Sequence, residues 1–202
     1  MKNSSKNFYI KKFFIPTAEN MDLSDIPMLV RRKMSSLDKI AYSAVKEVYE
    51  DGVQEVVFSS QYGELDRLKS IIESYLACNE ASPAKFSASV HNYFVGFLCQ
   101  LKGLTISYNS LSAGENTLSI GLVKSIISKK SKVLYCFAES VPEMNGCACV
   151  ICDKEDADSI KCSFTQGSFD VEGNELEMFK KFLQNEVSSL KTPCGLIERV
   201  KK

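Results

Sequence analysis

Only one residue of the 202 is histidine, His91, so a serine nucleophile here has a single imidazole to draw on, in no Ser-His-Asp order that the chain certifies. Net charge is missing too. The 25 Lys+Arg are matched by 25 Asp+Glu, so no global field favours nucleic acid or an anionic membrane, and a partner protein meets little long-range repulsion. The basic runs Lys11-Lys12, Arg31-Arg32-Lys33 and Lys201-Lys202 are short and read as solvated surface. Apolar runs stay far below the ~20 residues of a membrane span, and the opening "MKNSSKNFYIKKFFIP" is broken by Lys11, Lys12 and Pro16. Neither a span nor a leader is expected, and a cytoplasmic protein is. Internal repeats and low-complexity segments are absent. Paired C-x-x-C motifs are absent as well. Cys147-Ala-Cys149-Val-Ile-Cys152 lies in a strand-like run that turns Cys147 and Cys149 to one face and Cys152 to the other. No metal or other cofactor is expected, and the eight cysteines read as reduced, buried small hydrophobes.

What is present is the balance of a globular domain, 45% apolar and 25% charged, in a length that one core can serve. "FYIKKFFIP" predicts a first strand stopped by Pro16, and "TAENMDLSDIPMLVRRK" an ordered connection. Leu37, Ile40, Ala41, Ala44, Val45 and Val48 recur at helical spacing behind Ser35 or Ser36 as cap, with Asp51-Gly52 beyond. "VQEVVFSSQ" predicts a buried strand. "ELDRLKSIIESYL" puts Leu65, Leu68, Ile71, Ile72 and Tyr75 on one helix face. An apolar helix is expected from about Ser89 to Leu101, where Gly96 suits close packing. "LTISYNS", "KVLYCFAES" and "GCACVICD" predict strands, "IKCSFTQGSFD" an edge strand. "NELEMFKKFLQNEVSSLK" predicts a helix with Leu176, Phe179, Phe182, Leu183 and Val187 inward. This alternation implies an α/β fold, a sheet covered by helices.

One stretch, "NSLSAGENTLSIGL" (Asn109 to Leu122), joins a strand end to an unusually apolar helix. Leu118, Ile120, Leu122, Val123, Ile126 and Ile127 leave no wide polar face, and Ser119, Gly121 and Ser125 admit close neighbours, so the helix belongs in the centre of the fold. Its N-terminus would suit a thiolate or an oxyanion. Ser112 and Glu115 have capping-box spacing, which makes Ser112 an N-cap and Glu115 its reciprocal partner. Ser112 or Ser110 as nucleophile, and Glu115 as base, are the chemical alternatives.

"FSSQYGELDR" (Phe58 to Arg67), "SPAKFSASVHN" (Ser82 to Asn92) and "LSAGENTLSIGL" (Leu111 to Leu122) together resemble the short β-ketoacyl-synthase-like family of aryl polyene and related pigment clusters, whose members are described as chain length factors. "IPMLVRRKMSSLDKIA" and "VLYCFAESVPE" fit the same family, and the likeness runs from Ile26 to the late helix. The resemblance implies a thiolase-like half fold: a mixed sheet covered by helices, a buried central helix, and residues 1–202 as a single domain. It places the lost nucleophilic Cys at about Gly114, after Ala113, and the catalytic His and Asn in a half this chain does not include. His91-Asn92 is then structural and no residue is catalytic; Ser112 and His91 are the weak candidates. Phe94 and Phe97 could line an acyl tunnel, or simply belong to the core.

The function so implied is a non-catalytic, chain length factor-like partner of an active β-ketoacyl-ACP synthase in polyene or fatty-acid-like chain extension. It would form a heterodimer and meet acyl carrier protein through that complex. The alternative is an independent acyl-thioester hydrolase or acyltransferase using Ser112, Cys99 or His91. A third reading is a structural or regulatory homodimer that binds a free acyl chain.

Overall fold

The computed structural model describes residues 5–17, 19–171 and 173–200. Eight strands form one sheet in the order β3-β2-β4-β5-β1-β6-β8-β7. They are β1 (Ser5–Phe14), β2 (Glu55–Ser59), β3 (Ser107–Leu111), β4 (Lys132–Glu139), β5 (Asn145–Cys152), β6 (Ile160–Gln166), β7 (Ser189–Thr192) and β8 (Gly195–Arg199). β3, β2 and β4 run parallel, and every other neighbouring pair is antiparallel. The helices are α1 (Met28–Arg31), α2 (Ser36–Val48), α3 (Leu65–Cys78), α4 (Pro83–Ser87), α5 (Tyr93–Lys102), α6 (Thr117–Ile126) and α7 (Glu175–Leu183).

Strand alternation divides the core in two. Val56, Phe58, Leu134, Cys136, Ala138, Ala148 and Val150 face α2 and α5; Val57, Val133, Tyr135, Phe137, Cys147 and Cys149 face α6 and α7. Both faces of β2, β4 and β5 are covered, which explains their unbroken apolar runs. Cys147 and Cys149 share the α6 face as expected; all eight cysteines are free thiols, but only five are buried, Cys99 being half-buried and Cys78 and Cys194 exposed. α2 buries Leu37, Ile40, Val45 and Val48, each contributing about 1.5–3 kcal/mol. A full capping box starts α2: Ser35 Oγ accepts from Asp38 N and Asp38 accepts from Ser35 N, both at 3.0 Å.

Several expectations change in three dimensions. β6 is an interior strand, paired to β1 and β8. Its alternation reflects one covered face rather than an open edge; Cys162 and Phe164 point to the core, while Lys161, Ser163 and Thr165 do not. The β7–β8 hairpin that covers it carried no clear sequence signal. The late helix ends at Leu183 in a Schellman motif, with Asn185 at φ 66° and Glu186 N bonded to Lys181 O, so Val187 lies beyond it. The helix expected from Ser89 starts at Tyr93, because residues 89–92 turn to carry His91 to the sheet. A Cβ on Gly96 would meet open space, whereas one on Gly121 would lie 2.7 Å from Ser59 Oγ and Tyr135 Cε2, so Gly121 is the close-approach glycine. No helix among the described residues is long and apolar enough to cross a membrane.

Candidate functional site

The centre of the fold is α6, buried on nearly every side as its composition predicts. Its start departs from expectation. Thr117 is the first helical residue and Asn116 the cap position, with no side-chain cap bond. Ser112 is not an N-cap; its hydroxyl donates to Gln61 O at 3.1 Å. Glu115 is exposed. Ala113 and Gly114 form the turn between: Thr117 Oγ1 accepts from Ala113 N at 2.9 Å and donates to Gly114 O at 2.6 Å. Gly114 has φ 59°, and a Cβ there would touch nothing within 4 Å.

The free N–H groups of α6 are taken by a residue far along the chain. Glu175 Oε2, on the first residue of α7, accepts from Leu118 N at 3.0 Å and Ser119 N at 3.2 Å. The other end of α6 receives a cation: Lys6 Nζ donates to Ile126 O at 2.5 Å and Ser128 O at 3.0 Å. Both dipole ends are therefore met by opposite charge.

A cavity of about 330 Å³ opens at the head of α6. Its described lining includes Gly114 and four carboxylates, Glu115, Glu139, Glu143 and Glu175, with no Lys, Arg or His. Glu139 is fixed by Ser60 Oγ at 3.0 Å and by the N–H groups of Gln61 and Tyr62. Burial raises the carboxyl pKa of both Glu139 and Glu175, against the hydrogen bonds that favour their ionised forms. A second cavity of about 740 Å³ lies between α6, α7 and β7, and Leu118 and Glu175 line both. An enolate or oxyanion at the head of α6 would meet like charge and occupied donors.

The remaining candidates do not gather there. His91 is held by both ring nitrogens: Nε2 lies 2.7 Å from Ser60 O, which can only accept, and Nδ1 lies 2.6 Å from Ser110 Oγ. Ser110 Oγ also lies 3.0 Å from His91 O. The ring ties the α4–α5 turn to β2 and β3. Phe94 is buried and packs on Phe58, with ring centroids 5.2 Å apart. Phe97 is half-buried and stacks on Tyr93. Neither lines either cavity. Cys99 is half-buried and burial raises its thiol pKa. Among the described residues no three His, Cys, Asp or Glu side chains are grouped to hold a metal.

Sequence reading passed over an ionic cluster at the start of α2. Arg67 bonds Asp38 Oδ2 at 2.6 Å and Glu64 Oε2 at 3.3 Å, and it also donates to Lys33 O and Ala88 O. Asp38 and Glu64 are both buried, and Ser35 Oγ donates to Glu64 Oε1. Burial, then the nearby Asp38, pushes the Glu64 carboxyl up to about 8. Ser35 is legible as a helix cap, but nothing local marks Asp38 as its partner or Glu64 and Arg67 as the partners of Asp38. Beside this cluster a cavity of about 730 Å³ is rimmed by Lys33, Lys39 and Lys85.

A mixed sheet covered on both faces, with a buried helix whose head meets the end of β3 and a turn of Ala113-Gly114 with no cysteine before it, defines a ketosynthase-type scaffold. The chain belongs to the family described as β-ketoacyl synthase, N-terminal domain, whose model matches residues 9–146. In three dimensions it is similar to a chain of a Xenorhabdus doucetiae structure, "Ketosynthase (ApeO) in Complex with its Chain Length Factor (ApeC)", with a TM-score of 0.75 and 19% identity over 96% of this chain and 99% of that one. The fold is thiolase-like, and the two chains are nearly equal in length. No curated protein matches this chain.

Proposed function

We propose that this chain, as a single cytoplasmic domain, is a non-catalytic, chain length factor-like partner of a β-ketoacyl-ACP synthase in aryl polyene-type chain extension. The head of α6 carries this reading. Condensation needs a thiolate to hold the acyl group and donors to stabilise the enolate and oxyanion. Here Gly114 has no side chain, the nearest free N–H groups serve Glu175, and the adjoining cavity is lined by carboxylates.

An exposed apolar face supports the partner half of the proposal. Leu68, Ile72, Tyr75 and Leu76 on α3, Phe86 on α4 and Tyr108 on β3 lie open to solvent. Arg67 joins α3 to the end of α4, and Asn92 Nδ2 bonds Tyr108 Oη, so these elements adjoin. β3 is also a sheet edge, with backbone groups unpaired on one side. Such a surface suits a partner that completes it. Lys33, Lys39 and Lys85 offer charge complementarity to an acidic carrier protein meeting the complex. Of the two tunnel candidates, half-buried Phe97 is the one an acyl chain could meet, since Phe94 is packed in the core against Phe58. The hydrolase reading finds less support: Ser112 donates to a backbone carbonyl, and His91 has both nitrogens engaged.

The test is affinity capture of this protein from its native lysate, with sizing of the complex and mass-spectrometric identification. A stoichiometric β-ketoacyl synthase is the expected result; a lone monomer or homodimer would overturn the proposal.

A further inference from the structure

We infer that Glu175 is a built-in ligand of the α6 N-terminus: its carboxylate fills the anion seat at the helix head and partitions one cleft into two cavities, closing that seat to external carboxylates, thiolates and oxyanions. The inference does not depend on the partner reading, because its test needs no ketosynthase.

The seat is identified by what bonds to it. A helix start leaves its first N–H groups free, and a neighbouring Ser, Thr, Asp or Asn ordinarily satisfies them. Three local residues could do so and none does. Asn116 makes no side-chain cap bond, Ser112 turns to Gln61, and Thr117 bonds back to Ala113 and Gly114. The bonds to Leu118 N and Ser119 N come instead from a residue 57 positions beyond Leu118. Glu175 uses one oxygen for both; Oε1 is buried and has no partner among the described residues. With Leu118, Glu175 lines both the cavity of about 330 Å³ and that of about 740 Å³.

Burial opposes this carboxylate and raises its pKa. Glu115, Glu139 and Glu143 line the smaller cavity with it, and Asp170, Glu186 and, as the one cation among the described lining residues, Lys191 line the larger. The two N–H bonds and the positive helix end hold it in place. Truncating the side chain would leave two free donors between two connected cavities, a seat of the right chemistry for a small monocarboxylate.

The experiment is chemical rescue of Glu175→Ala, read as thermal midpoint in sodium acetate against sodium chloride at equal ionic strength. The variant should melt about 3–10 °C lower in chloride, the loss for removing hydrogen bonds to a charged group in a chain of this size. Acetate should recover at least half of that loss while leaving wild type and Glu175→Gln unchanged. No recovery, or an equal rise in all three proteins, would overturn the inference. If Glu175→Ala does not fold, the amide resonances of Leu118 and Ser119 decide. They should move with pH around one shared midpoint in wild type and stay still in Glu175→Gln, whereas still resonances in wild type reject the seat.

Discussion

Gly114 shows how a single position can be open in space and closed to chemistry. A Cβ there would touch nothing within 4 Å, but φ 59° lies in the left-handed region, where a non-glycine residue costs roughly 1–2 kcal/mol. A thiol at this turn would face Glu115, Glu139 and Glu143, with no lysine, arginine or histidine among the described lining residues. Nearby carboxylates disfavour a thiolate, and the thiolate is the nucleophile. Gly114→Cys is therefore expected to fold and to stay inactive. Peptide mapping after incubation with an acyl thioester should find no acyl adduct at position 114, and alkylation there should be slower than at the exposed Cys78 or Cys194. Rapid acylation of that site would show that the scaffold lacks only its sulfur.

At the scale of elements, a carboxyl with a raised pKa lies buried where α2 meets α3. Glu64 is buried beside Asp38, and its carboxyl is pushed up to about 8 from an ordinary 4.5. The folded protein therefore keeps a proton that the unfolded chain releases at lower pH. The stabilisation this gives is fully present below about pH 4.5 and is lost as pH rises towards about 8. Glu139, which is buried, and half-buried Glu175 act in the same direction. Thermal midpoints should fall across that window, and Glu64→Gln, which fixes the neutral form, should flatten the decline. An unchanged slope in Glu64→Gln would place the pH dependence elsewhere.

For the whole molecule, the decisive feature is a helix face that its own domain does not cover. Leu68, Ile72, Tyr75 and Leu76 of α3 are 42%, 49%, 53% and 78% exposed, and Ile71 alone among the helix residues is buried. Charge placed on that face disturbs little within the chain but would disrupt an apolar interface. The double substitution Ile72→Asp with Leu76→Asp should shift the thermal midpoint by no more than about 2–4 °C, as surface changes do in a chain of this size. It should lower partner capture more than about tenfold, the effect of losing 1.4 kcal/mol or more at an interface. Undiminished capture would move the interface away from α3.

The sequence by itself determined what is local. Apolar spacing behind a serine cap specifies α2, the continuous runs specify β2, β4 and β5, and the all-round apolar pattern of Leu118 to Ile126 puts α6 at the centre. The family motifs around Phe58, Ser82 and Leu111 carry the scaffold. Periodicity records which residues avoid water, and that is decided within a turn or a strand. It does not record which distant element keeps the water away. Only the tertiary structure decided that Ser112 faces Gln61 instead of capping α6, that β6 is interior because a late hairpin lies beside it, and that the apolar side of α3 faces solvent. Glu175 at the head of α6 and Glu64 beside Asp38 belong to the same class. Their contacts join residues 57 and 26 positions apart, where geometry and electrostatics act through space and leave no mark on local spacing.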